Sequence, residues 1–114
     1  PQTIEAKILF DADKLDSLGC IGIARAFDIG GQYGQKIYSD IPLEDYIKDN
    51  LIGGTIDGKI KDVSKHTADL EFETDCKFMP QKIYTEKAKE IAQNRLEYMS
   101  QFFTRLKKEI IGDF

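Results

Sequence analysis

The chain has 114 residues, of which 41% are hydrophobic and 32% charged, with a net charge of −4 and a pI near 5.0. This is enough for one globular domain, burying about two thirds of its unfolded surface. The acidic balance and the spread of Lys and Arg among acids argue against a nucleic-acid backbone as partner. No apolar run approaches the roughly 20 residues of a membrane span, so no membrane partner is expected and the expected compartment is the cytoplasm.

The first element is a helix. Thr3 is placed to cap it and Glu5 sits favourably in its first turn. On a 3.6-residue period Ile4, Ile8, Ala12, Leu15, Leu18 and Gly22 form one stripe, with Asp11 between Ile8 and Leu15. A carboxylate in such a stripe needs a partner, because burying it alone costs roughly 2 to 5 kcal/mol. Asp13 and Asp16, three apart, share a second face with Leu9 and Cys20. Gly19 and Gly22 are compatible with close approach of another helix, which extends the expected helix to about Phe27, with a kink.

Gly30, Gly31 and Gly34 read as a loop, since no strand precedes them and no GK[ST] follows. Asp40 to Tyr46, with Pro42 at a first-turn position, starts a short helix to about Lys48, stopped by Gly53 and Gly54. Asp57-Gly58 between short alternating arms is a hairpin signal over 55–60, a small surface ribbon at most. Thr67 caps a helix from Ala68 to about Phe78, ended by Pro80, although the LEFE run alternates like a strand. Thr85 caps the last and longest helix, roughly 40 Å, whose Ala88, Ile91, Ala92, Met99, Phe102, Phe103, Leu106 and Ile110 form one apolar face ending at Gly112. The two long helices are expected to pack through Ile8, Leu15, Leu18, Ala92, Met99 and Phe103. The fold class expected is all-α.

Arg95 stands on the apolar face between Ala92 and Met99. Either its stem lies along the core with the guanidinium in solvent, or it pairs with Asp11, Asp16 or Glu5 on the first helix. His66, the one histidine, reads as a solvated or capping residue of a loop. Cys20, among Leu18, Ile21 and Ile23, reads as a small hydrophobe, and no disulfide to Cys76 is expected. No serine lies in a Gly-x-Ser-x-Gly setting. Asp13 and Asp16 either line a solvated face or belong to a site.

At Asp11 to Phe27, DADKLD followed by SLGCIGIARAF, the chain resembles the last signature of the HD-domain metal-dependent phosphohydrolases, in particular the small bacterial branch that reads DADRLDALGAIGIAR. The likeness continues over Thr85 to Gly112, with Ala88, Ala92, Arg95, Met99 and Phe103 in step, whereas residues 30–66 match poorly. The resemblance implies that Asp13, the second acid of DxDK, is a metal ligand and that Lys14 lies toward substrate phosphate. Asp11, Asp16 and Arg95 would then support the site without touching the metal, Asp11 orienting a ligand or pairing with a base. A hard carboxylate beside imidazoles suits Mn, Fe, Mg, Ni or Zn, and such an ion lowers the pKa of bound water toward 7.

The family's upstream His and His-Asp pair have no counterpart, and the chain opens at Pro1 without a methionine. Residues 1–114 are therefore expected to be a single helical segment, the C-terminal part of an HD-type phosphohydrolase domain. The segment itself is expected to be inactive and to self-associate through surface that a missing half would cover. The intact parent would hydrolyse a small phosphorylated substrate such as a nucleotide. Two alternatives stand beside this: a non-catalytic helical interaction or regulatory module derived from the HD fold, and a short regulator that pairs with a separate HD half.

Overall fold

The computed structural model describes residues 2–114, so the helix entrance expected at Pro1 falls outside the described residues. The fold is all-α, with five helices and no sheet among those residues: α1 (Ile4–Leu15), α2 (Gly19–Gln32), α3 (Leu43–Asn50), α4 (Ala68–Thr74) and α5 (Glu86–Ile110), joined in part by short 3₁₀ segments. Three of the helices begin at the threonines expected to cap them. Thr3, Thr67 and Thr85 accept from the backbone N–H groups of Ala6, Leu70 and Ala88, which satisfies donors that a helix start leaves free.

The expected continuous helix from Ile4 to Phe27 is two helices. The chain turns at Asp16–Leu18, and Gly19 has φ +71°, outside the helical region. Leu18 consequently points into the core and is fully buried. Gly22 is needed for a different reason: a Cβ there would lie 2.2 Å from the Ser17 carbonyl oxygen, so the turn packs directly on the α2 backbone. Gly30 and Gly31 lie inside α2, contrary to the loop expected, and the helix stops two residues before Gly34 at φ +68°.

The hairpin over 55–60 does not form as a ribbon. Leu51 and Ile60 make one isolated bridge, with Ile52 N–H donating to Lys59 O at 2.8 Å and Lys61 N–H to Asn50 O at 2.8 Å. Two arms this short cannot sustain a ladder. The Asn50 side chain takes its place, donating to the Asp62 carbonyl at 2.9 Å and accepting from its N–H at 3.0 Å. The helix from Ala68 ends at Thr74, not Phe78, and Thr74 Oγ1 donates back to Leu70 O at 2.8 Å. Pro80 lies inside the 3₁₀ segment Cys76–Lys82 and does not terminate the helix.

The main core joins α2, α4, the 3₁₀ segment and α5 through Leu18, Ile23, Phe72, Met79, Ala92, Met99 and Phe103. Phe103 is its centre, with Phe72 at 5.3 Å and Phe102 at 5.1 Å between ring centroids, spacings at which aromatic pairs attract beyond their burial. Leu15 and Leu18 pack with Ala92, Met99 and Phe103 as expected. Ile8 does not: it is 55% exposed, and Ile4 and Leu9 beside it are exposed too. The reason is rotational, since α1 turns Asp11 toward α5 in place of Ile8. A smaller cluster of Tyr46, Leu51 and Leu70 holds α3 to the start of α4.

Candidate functional site

Asp11 is the one buried residue of α1, 2% exposed. Its partners are backbone amides: Tyr84 N–H donates to Oδ1 at 2.8 Å and Thr85 N–H to Oδ2 at 2.8 Å. The carboxylate thus closes the N-terminus of α5, where free N–H groups and the helix dipole both favour an anion. Burial pushes its pKa up, but the Tyr84 and Thr85 amides, the Thr85 hydroxyl and the Lys89 charge outweigh this and leave it below the usual value of 3.8.

Arg95 makes no ion pair with Asp11, Asp16 or Glu5 among the described residues. Its Nη1 donates to the Leu15 carbonyl at 2.8 Å, at the C-terminus of α1, where a cation meets the negative end of the dipole. Its stem crosses Gly19 so closely that a Cβ there would lie 2.9 Å from Arg95 Cγ. Two charged side chains therefore cap each other's helices: Asp11 of α1 on the start of α5, Arg95 of α5 on the end of α1.

Asp13 and Asp16 are exposed. The Asp16 carbonyl accepts from Arg25 Nη1 at 3.1 Å. Lys14 is half-buried, its Nζ 5.1 Å from the centre of the Phe10 ring, within cation–π range. Among the described residues no three His, Cys, Asp or Glu side chains come together as a metal site. The residues present therefore do not by themselves fit the divalent ion that the motif implies, and Asp13 can offer one carboxylate to it. Cys20 is exposed, not packed, and Cys76 is a free buried thiol pushed up to about 12, chiefly by burial and then by Glu71 and Asp75.

The buried polar centre lies elsewhere. His66 is 6% exposed and far from solvated: Nδ1 is 2.6 Å from the Tyr46 hydroxyl and Nε2 is 2.8 Å from Glu71 Oε1. Asn50 Nδ2 donates to the same hydroxyl at 3.2 Å. Glu71 is held low by the His66 contact against burial, while burial and Glu71 together raise Asp75, so the Asp75 proton is shared with its neighbour. The local sequence Ser-Lys-His-Thr gives no sign of this, because the partners come from α3 and α4. The hint available was Tyr46 and Asn50 at i, i+4 on an otherwise apolar helix face.

Between α2 and α4 a cleft of about 230 Å³ opens beside the Asp16–Leu18 turn, with Ser17, Arg25, His66 and Glu71 on its wall.

The same helical arrangement occurs in HD-superfamily proteins of known structure. An HD-superfamily hydrolase from Bacillus thuringiensis superimposes with a TM-score of 0.72 and 32% identity, over 96% of this chain and 48% of that one. The Bacillus subtilis protein YpgQ, itself uncharacterized, is 30% identical over 112 residues, 98% of this chain and 43% of its own length. The crystal structure of YpgQ in complex with ADP superimposes with a TM-score of 0.69 over 98% of this chain and 48% of that one. The chain thus spans about half the length of the relatives it matches. No family model matches it.

Proposed function

We propose that the chain is the C-terminal half of an HD-type metal-dependent phosphohydrolase acting on a small phosphorylated substrate, with Asp13 giving one oxygen to a divalent ion and Lys14 directed to phosphate. The observation that carries this reading is the likeness, at 32% identity and over 96% of the chain, to an HD-superfamily hydrolase about twice as long. The exposed carboxylates of Asp13 and Asp16 lie on α1 and at its end, and Ile4, Ile8 and Leu9 of the same helix are left uncovered. An apolar helix face in this position suits a second half that brings further ligands against Asp13. YpgQ with ADP bound supports a nucleotide as the substrate to try first.

The test compares the 114 residues with a protein that also carries the His and His-Asp elements. The shorter chain should bind Mn²⁺ weakly by calorimetry and release no phosphate from a nucleotide or a generic phosphomonoester. The longer one should bind the ion and turn over, and Asp13→Ala should abolish its metal-dependent activity while its fold persists. Full activity in the Asp13→Ala protein ends the ligand assignment.

The uncovered face of α1 equally suits a second reading, a helical interaction module of HD ancestry. Under it Asp13→Ala is silent, and Ile8→Asp or Leu9→Asp removes association without any change in hydrolysis.

A further inference from the structure

We propose that the cleft between α2 and α4 is a binding site for a compact heteroaromatic ring that carries an amino group at its inner end and an anionic arm at the mouth. Its walls are Ile29, Val63 and Met99, and its polar positions include Arg25, Gln35 and Glu71. At about 230 Å³ it is smaller than the roughly 300 to 1,000 Å³ of most ligand pockets. It therefore receives one ring, with the remainder of the ligand emerging past the rim.

The polar chemistry selects the ring. Thr67 Oγ1 donates to Asp69 at 2.6 Å, Gln35 Nε2 donates to the Val63 carbonyl at 2.9 Å, and both His66 nitrogens are engaged. What the inner wall retains is acceptor capacity, the Gln35 Oε1 and the Glu71 lone pairs beyond those facing His66 and Asp75, a carboxylate having about four acceptor positions. A ring that fills this space must bring N–H donors, as an exocyclic amino group does. Arg25, exposed at the mouth, has one N–H on the Asp16 carbonyl and its other donors free for an anion. Amino-substituted purines and pyrimidines bearing a phosphate meet all three conditions. The site calls for neither a metal nor hydrolysis, so it can fail while the hydrolase reading stands, and the reverse.

Titration of the purified protein with adenosine 5′-monophosphate, followed through the methyl resonances of Ile29, Ile60, Val63 and Met99, tests the assignment. Those methyls should shift saturably, adenosine should shift the same set with roughly tenfold weaker affinity, and ribose 5-phosphate should leave Met99 unmoved. Arg25→Gln should remove the advantage of the nucleotide over the nucleoside. Val63→Trp, at a partly exposed position, should fill the cleft and abolish the Met99 shift with the helical circular dichroism retained. Absence of methyl shifts at millimolar nucleotide, a Met99 shift with ribose 5-phosphate equal to that with the nucleotide, or affinities unchanged in Arg25→Gln overturns the proposal.

Discussion

Asp11 and His66 are both buried polar side chains, and their surroundings differ in kind. Asp11 faces two main-chain amides of the α5 start, donors that do not titrate, so its charge is fixed wherever the carboxyl is ionised. His66 lies between Tyr46 and Glu71, and Glu71 shares a proton with Asp75, so each group's ionisation depends on the next. One joint behaves as a cap of constant strength, whereas the other is a network whose strength follows pH. The first holds α1 to α5, the frame on which Asp13 stands, and the second holds α3 to α4 and lines the cleft.

The largest effect is expected where the fixed joint is removed. Asp11→Ala leaves the Tyr84 and Thr85 amides without partners and should destabilise the protein by about 2 to 5 kcal/mol in urea titration. Asp11→Asn retains an acceptor and should cost less. Because the folded pKa of Asp11 is depressed, its contribution is complete above the unfolded value of 3.8 and is lost as pH falls through the folded value. The Asp11→Asn protein should therefore lose less stability than the wild type below about pH 4. A cost near zero for Asp11→Ala would mean that water replaces the carboxylate.

His66→Ala should cost about 2 to 4 kcal/mol, since the Tyr46 hydroxyl and Glu71 both lose a partner. It should also alter the pH dependence near neutrality, which Asp11→Ala should not. If the two variants have parallel stability–pH curves, the distinction between a fixed and a titrating joint fails.

The sequence makes one of these residues legible and conceals the other. Asp11 stands out because a 3.6-residue stripe surrounds it, so the need for a partner is visible in α1 alone. The partner's identity is not, because Tyr84 and Thr85 lie more than seventy residues on and act through main-chain atoms. The threonine caps are readable because both members of each bond are three residues apart. His66 is hidden because Tyr46 is twenty residues away and belongs to a different helix. The break at Asp16–Leu18 escapes a periodicity argument, since the apolar spacing continues straight through it. Its cause is tertiary: Gly19 takes φ +71° under the Arg95 stem. The role of Asp13 rests on motif resemblance, not on periodicity, because an exposed carboxylate looks the same on a solvated face and in a shared site.

A smaller effect is expected at the reciprocal cap. Arg95→Met keeps the stem over Gly19 and removes one charge-assisted bond to the Leu15 carbonyl, costing about 1 to 2 kcal/mol. A loss of about 3 to 5 kcal/mol would instead indicate a buried ion pair. Gly19→Ala should be comparable or worse, from the positive φ and from the overlap with Arg95.

The smallest effect is the most diagnostic of the titrating joint. Asp75 has its folded pKa raised, by burial first and then by Glu71, with Lys82 Nζ at 3.4 Å opposing both. A carboxyl raised in this way contributes stability that is fully present below the unfolded value of 3.8 and is lost as pH rises through the folded value. At neutral pH the native state therefore carries two adjacent acids that repel. Asp75→Asn keeps the shape and retains a donor toward Glu71 without the second charge, so it should raise stability slightly at pH 7 and flatten the decline between pH 4 and neutrality, a window set by that raised pKa. The gain stays small because the Asp75 side chain is 41% exposed and solvent screens the repulsion. Urea midpoints of the two proteins, compared at pH 4 and pH 7, give the answer: the variant should gain on the wild type only at the higher pH. Equal gain at both values would show that Asn improves packing and that no proton is shared between Glu71 and Asp75.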